Sequence, residues 1–92
     1  MIHLYFLIGG RHHAKKSKAD GFCYVNDIVL AILKLREKFS RILYVDLDVH
    51  HGDGVEQAFL YSKDVLCLSM HKFKPGFFPN TGSIKTVGKG EG

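Results

Sequence analysis

The sequence predicts an α/β fold organised on a parallel sheet, and three observations predict it: two short apolar, strand-like runs, an amphipathic helical stretch ahead of the first, and a second helical stretch between them. The run Ile42–Val45 is continuous and β-prone, as suits a central parallel strand covered on both faces, and Val65–Met70 is the second such run. The order strand, helix, strand implies a βαβ unit with parallel strands and a right-handed connection. At 92 residues the chain holds one domain at most; a chain of this size buries only about 60–65% of the surface it exposes when unfolded.

Taken in order, Met1–Ile8 is an apolar run that fits a buried strand or a short helical segment equally well. Gly9–Gly21 has no apolar period and is expected to be a loop; it carries His12, His13 and the basic residues Arg11, Lys15, Lys16 and Lys18. From Phe22 to Phe39 the apolar residues Val25, Ile28, Val29, Ile32, Leu35 and Phe39 recur at spacings of three and four, which predicts an amphipathic helix. Asp53 followed by Glu56 resembles a capping-box start for a helix from Gly54 to about Tyr61. Beyond His71, the segment Lys74–Gly82 is punctuated by Pro and Gly and is expected to be a loop bearing Phe77 and Phe78.

Composition sets limits on function. Hydrophobic residues at 46% and charged residues at 24% are ordinary for a globular chain and argue against disorder, collagen or coiled coil. Thirteen Lys and Arg against nine Asp and Glu give a net charge of +4, short of a nucleic-acid footprint. No aromatic residues interleave the basic stretch Arg11–Lys18, so it reads as a solvated loop and no direct nucleic-acid contact is expected. Cys23 and Cys67 form no spaced pair, which points to a reducing compartment with both thiols buried among apolar residues. Leu4–Ile8 is too short to span a bilayer and has no basic flank or cleavage site, so no membrane or export role is expected.

The chemistry concentrates at the downstream end of the first strand. In α/β sheets ligands bind outside the carboxyl ends of the strands, and there the chain runs Asp46-Leu47-Asp48-Val49-His50-His51-Gly52-Asp53. A two-residue period sends Asp46, Asp48 and His50 to one side and Leu47 and Val49 to the other. A carboxylate and an imidazole from adjacent same-side positions make half of a site for zinc or manganese. A capped turn with solvated histidines would explain a lone Asp-x-His. Three carboxylates and two histidines within this stretch favour a site, because burying so many charges without a metal or cationic partner is costly. The adjacent His12 and His13 are weak evidence alone, but Asp46 and Asp53 are spare carboxylates that can orient a histidine base.

The strings HHAKK, GFCYVND, YVDLDVHHGDGVE and PGFFPNTG resemble the catalytic domain of zinc-dependent class I histone deacetylases, from about Gly9 to Gly90. Met1–Ile8 looks unlike that family, and Arg11 stands where it usually has an apolar residue. The resemblance implies a portion of a parallel-sheet, arginase/deacetylase-like three-layer fold. It implies hydrolysis of acetyl-lysine in histone tails or other proteins, in nucleus and cytoplasm. It matches Asp48 and His50 to two ligands of a single zinc ion. It matches His12 and His13 to the tandem histidines that handle protons, paired with Asp46 and Asp53 respectively. Gly21, Phe22 and Phe78 match the walls of an acyl-lysine tunnel, whereas Phe77 is expected to pack in the core. Oxygens of Asp46, Asp48, His50, Ser69 and Met70 match a structural potassium site, and Phe59, Ser62 and Val65 lie near a second.

The family's third zinc ligand, an aspartate, and its oxyanion-stabilising tyrosine come from loops downstream of the position matched by Gly92. The expectation is therefore an internal portion of a deacetylase domain that is inactive by itself. Two alternatives stand beside it: a non-catalytic fragment that binds metal or a partner through an unfinished sheet, and a binuclear manganese hydrolase of the arginase type. His12-His13 together with GFCYVND suits the deacetylases better than the second.

Overall fold

The computed structural model describes every residue except Ile8. Its elements follow the order α1 (Asp27–Leu35), β1 (Ile42–Asp46), α2 (Asp53–Phe59) and β2 (Val65–Ser69). The strands pair in parallel with Ile42 opposite Val65 and Asp46 opposite Ser69, so α2 is the crossover of a βαβ unit.

Helix α1 is shorter than the apolar period alone suggests. Asn26 caps it, its side-chain oxygen accepting the Val29 amide at 3.0 Å. Upstream, Phe22 has a positive φ of 63° and Asp20 bridges Cys23, so the backbone cannot be helical there. At the other end the amides of Lys38 and Phe39 fold back on the Leu35 carbonyl as turns. In α2 the expected capping box is absent. Gly52 is the cap and makes no side-chain cap bond, while Asp53 is the first helical residue and Glu56 turns its carboxylate to His51. Met1–Leu7 form neither helix nor strand; the rings of His3 and Tyr5 lie 4.9 and 6.2 Å from that of Phe39. The remaining residue of that undecided run, Ile8, lies outside the described residues.

Among the described residues the core is one cluster: Ile28 and Ile32 from α1, Val55 and Phe59 from α2, and Val65 from β2, with Ile42, Tyr44 and Cys67 packed against it. Alternation along the strands sends Leu43, Val45, Leu66 and Leu68 to the opposite face, where Leu43 remains 59% and Leu66 67% exposed. The sheet is thus covered on one face, not on the two expected of a central parallel strand. Cys23 is buried, whereas Cys67 is only partly so; burial first, then the Glu56 charge, pushes its thiol up to about 11. Val55 is fully buried, so Val55→Ala is expected to lower unfolding free energy by about 1.5–3 kcal/mol, read as a reduced urea midpoint.

Candidate active site

The parallel register brings the downstream ends of both strands to one edge, and the loop bearing His12 and His13 is held over it from two sides. Asp27 at the start of α1 accepts the amides of Gly10 and Arg11 at 3.0 and 2.6 Å, and Asn26 donates to the Ala14 carbonyl at 3.1 Å. From α2, the Gly54 amide donates to the His12 carbonyl at 2.9 Å. This double tether buries both imidazoles.

Each imidazole has its own carboxylate. His12 Nδ1 donates to Asp46 Oδ2 at 2.7 Å, and His13 Nδ1 donates to Asp53 Oδ1 at 2.8 Å. The rings lie 4.1 Å apart. Asp46 also accepts the Tyr44 hydroxyl at 2.6 Å and the Asp48 amide at 3.0 Å. Burial opposes its ionisation, but these bonds from His12, Tyr44 and Asp48 prevail and hold the carboxyl at about 2. The same His12–Asp46 bond raises His12 above its ordinary 6.5 in spite of burial, and burial together with the Asp46 bond pushes the Tyr44 hydroxyl well up. Gly52 closes over this pair: a Cβ there would stand 2.5 Å from Asp46 Oδ2.

The signs of these shifts fix a pH window. Asp46 falls from 3.8 in the unfolded chain to about 2, so its contribution is present above about pH 4 and is lost as pH drops towards 2. His12 is raised, so its contribution is present below its unfolded value of about 6.5 and is lost as pH climbs through the folded one. Urea midpoints should therefore decline on the acid side between about pH 4 and 2, and Asp46→Asn should flatten that decline. An acid limb equally steep in the variant would place the dependence elsewhere.

Asp48 and His50 stand at the cavity's edge, about half exposed, with Asp48 Oδ1 3.1 Å from His50 Nδ1. That separation suits two donors reaching one ion at about 2.0–2.2 Å, and an oxygen with an imidazole nitrogen is chemistry that zinc accepts. Among the described residues no third His, Cys, Asp or Glu joins them as a metal-holding group. His12 Nε2 is 3.9 Å from Asp48 Oδ1. An open cavity of about 440 Å³ is lined by Gly10, Arg11, His12, His13, Gly21, Phe22, Cys23, Asp48, His50 and Phe78. Phe22 stands at its mouth, 96% exposed. Phe78 meets His13 edge-on at 4.9 Å, and Gly21, with φ of 49°, lies so close that a Cβ would stand 2.6 Å from His13 Cδ2.

Ser69 and Met70 lie beside this edge: the Met70 amide donates to the Asp46 carbonyl at 3.0 Å, and Ser69 Oγ is 2.7 Å from His71 Nδ1. Phe59, Ser62 and Val65 sit at the turn between α2 and β2, where the Phe59 carbonyl accepts the Ser62 amide at 3.0 Å.

Three residues play parts that sequence reasoning missed. Phe77 is partly exposed and stacks on the His50 ring at 5.2 Å and 5°, with the Lys72 ammonium 4.6 Å from its ring centre, so it is not a core residue. Lys15 is not solvated with its basic neighbours but is drawn in to Asp53 and Asp20. His51 is buried, bonded to Thr81 at 2.7 Å and paired with Glu56, and ties the Pro/Gly loop to α2. Each has at least one partner 27 or more residues away, Phe77 in His50, Lys15 in Asp53 and His51 in Thr81, which no local pattern signals.

Comparison with known proteins identifies the family. The profile of the histone deacetylase domain family matches residues 2–92, and the chain belongs to that family. Among curated relatives it is 64% identical over 84 residues to histone deacetylase 8 of Xenopus laevis, a match covering 91% of this chain and 26% of the relative. Histone deacetylase 8 of Danio rerio is 63% identical over 84 residues, covering 91% and 22% of the two chains, and histone deacetylase 9 of Arabidopsis thaliana is 57% identical, covering 91% and 20%. The chain thus spans about a fifth to a quarter of the length of these curated relatives. The two-stranded parallel α/β unit is the expected piece of the arginase/deacetylase-like fold.

Proposed function

We infer that these residues form the proton-handling and part of the metal-holding half of a site that hydrolyses acetyl-lysine, with Asp48 and His50 as two ligands of one zinc ion. The carrying observation is the pair of His–Asp dyads, at 2.7 and 2.8 Å, opening on the cavity that Asp48 and His50 also line. Zinc, when bound, supplies a polarised acetyl carbonyl and a water of lowered pKa. Each histidine commits Nδ1 to a carboxylate, which holds the ring's orientation and leaves Nε2 free to take or give a proton. Gly21 leaves room beside His13, and Phe22 and Phe78 flank the space that an apolar lysine stem would fill. Asp46, Asp48, His50, Ser69 and Met70 offer oxygens for a structural potassium ion, and Phe59, Ser62 and Val65 for a second. The names of the relatives support acetylated histones as substrates; other acetylated proteins as substrates, and a transcription-regulating role in nucleus and cytoplasm, are part of the same proposal and rest on the family resemblance alone.

In a full-length protein carrying these residues, His13→Ala should cut acetyl-lysine turnover by about 10²–10⁴ while zinc content stays near normal. Unchanged turnover, or lost zinc, would overturn the assignment. The 92 residues alone carry two of the matched ligands, which favours weak metal binding without catalysis for this chain by itself.

A further inference from the structure

The Lys15 side chain is only 19% exposed, although Lys16 and Lys18 beside it are exposed residues. Its ammonium donates to the His13 carbonyl at 2.9 Å, to Asp20 Oδ2 at 3.3 Å and to Asp53 Oδ2. An ammonium has three N–H donors and no acceptor, so these three oxygens use all of them. Asp53 is thereby held at both oxygens, since Oδ1 takes the His13 ring nitrogen at 2.8 Å and the Gly54 amide at 3.0 Å.

We propose that Lys15 is a positioning residue for His13: one nitrogen ties the histidine's own backbone carbonyl to the far oxygen of its carboxylate partner. The terminal torsion of an aspartate is broad. A carboxylate gripped at one oxygen swings about it, and the imidazole it orients swings too. Gripped at both, it presents Oδ1 to the ring in one plane. Lys15 lies two residues after His13, so the clamp closes within the loop that carries the histidine. The consequence for catalysis rests on the proton-handling role given to His13 above; the clamp itself does not.

The test uses the 15N-labelled 92-residue chain and measures neither metal nor acetate, so its failure is distinct from failure of the deacetylase reading, which zinc titration of Asp48 and His50 variants decides. In the unsubstituted chain, the Lys15 ammonium protons should exchange with solvent about tenfold or more slowly than those of Lys16 and Lys18. Imidazole 15N spectra, assigned with His13→Gln, should show His13 in a single tautomer protonated at Nδ1. Lys15→Met should reduce this to a mixture of tautomers while the Val55 and Ile32 methyl signals stay in place, and Lys15→Arg should restore the single form. A Lys15 ammonium that exchanges as fast as its neighbours', or a His13 tautomer unchanged in Lys15→Met, overturns the proposal. If Lys15→Met does not fold, the ammonium exchange in the unsubstituted chain decides alone.

Discussion

Zinc binding by this chain is expected to disappear when Asp48 and His50 are both replaced by alanine. The two donors stand 3.1 Å apart, and no third metal-holding residue joins them among the described residues, so nothing nearby can take over. Loss of a mere outer-shell partner costs about 10–100-fold in metal affinity; removing both donors should exceed that and take binding below detection in a calorimetric titration. Glu37→Ala, at an exposed carboxylate in the turn that follows the chain's first helix, serves as the control and should leave the titration unchanged. A double variant that binds zinc as tightly as the parent would put the site elsewhere, with the buried His51 and the half-buried His71, whose rings lie 4.6 Å apart, as the next residues to replace.

The second large effect concerns the 92 residues by themselves, from which no zinc-dependent release of acetate from an acetyl-lysine peptide is expected. Two ligands leave a zinc ion under-coordinated and its water loosely placed, whereas catalytic zinc sites have three protein ligands. An oxyanion donor of the kind the family takes from a tyrosine is worth about 10²–10³ in rate, and among the described residues no tyrosine lines the cavity. The exposed Leu43, Val45, Leu66 and Leu68 should meanwhile bind a hydrophobic dye, because an apolar parallel-sheet face is normally covered. Acetate release at a rate typical of a complete enzyme, together with no dye binding, would restore a self-sufficient catalyst.

Much of this was legible in the residues. The parallel βαβ unit followed from two apolar runs flanking a helix, and the strand bounds differ from expectation by one residue at Asp46 and at Ser69. The convergence of His12, His13, Asp46, Asp48, His50 and Asp53 followed from their place at a strand end and from family resemblance. Helix ends were less legible, since the apolar period continues through Val25 and Phe39 while local bonding ends the helix at Asn26 and Arg36. The capping box failed because both its acids are engaged elsewhere, Asp53 by His13 and Lys15, and Glu56 by His51. Contacts across more than thirty residues, such as Tyr44 and His12 meeting on one carboxylate, arise only once the chain is folded.

The pairing of Asp46 with Ser69 has a consequence for which changes of length the gene can tolerate. Side chains in a strand alternate sides, so inserting or deleting one codon within Ile42–Asp46 would turn Asp46, Asp48 and His50 away from His12 and aim Leu47 and Val49 at it. The same indel in the turn after Phe59, which only joins α2 to β2, would be absorbed by the connection. Single-codon length variation should therefore be purged from the first strand and survive in that turn, and a scan of one-residue insertions from Ile42 to Val65 would draw the boundary between the two.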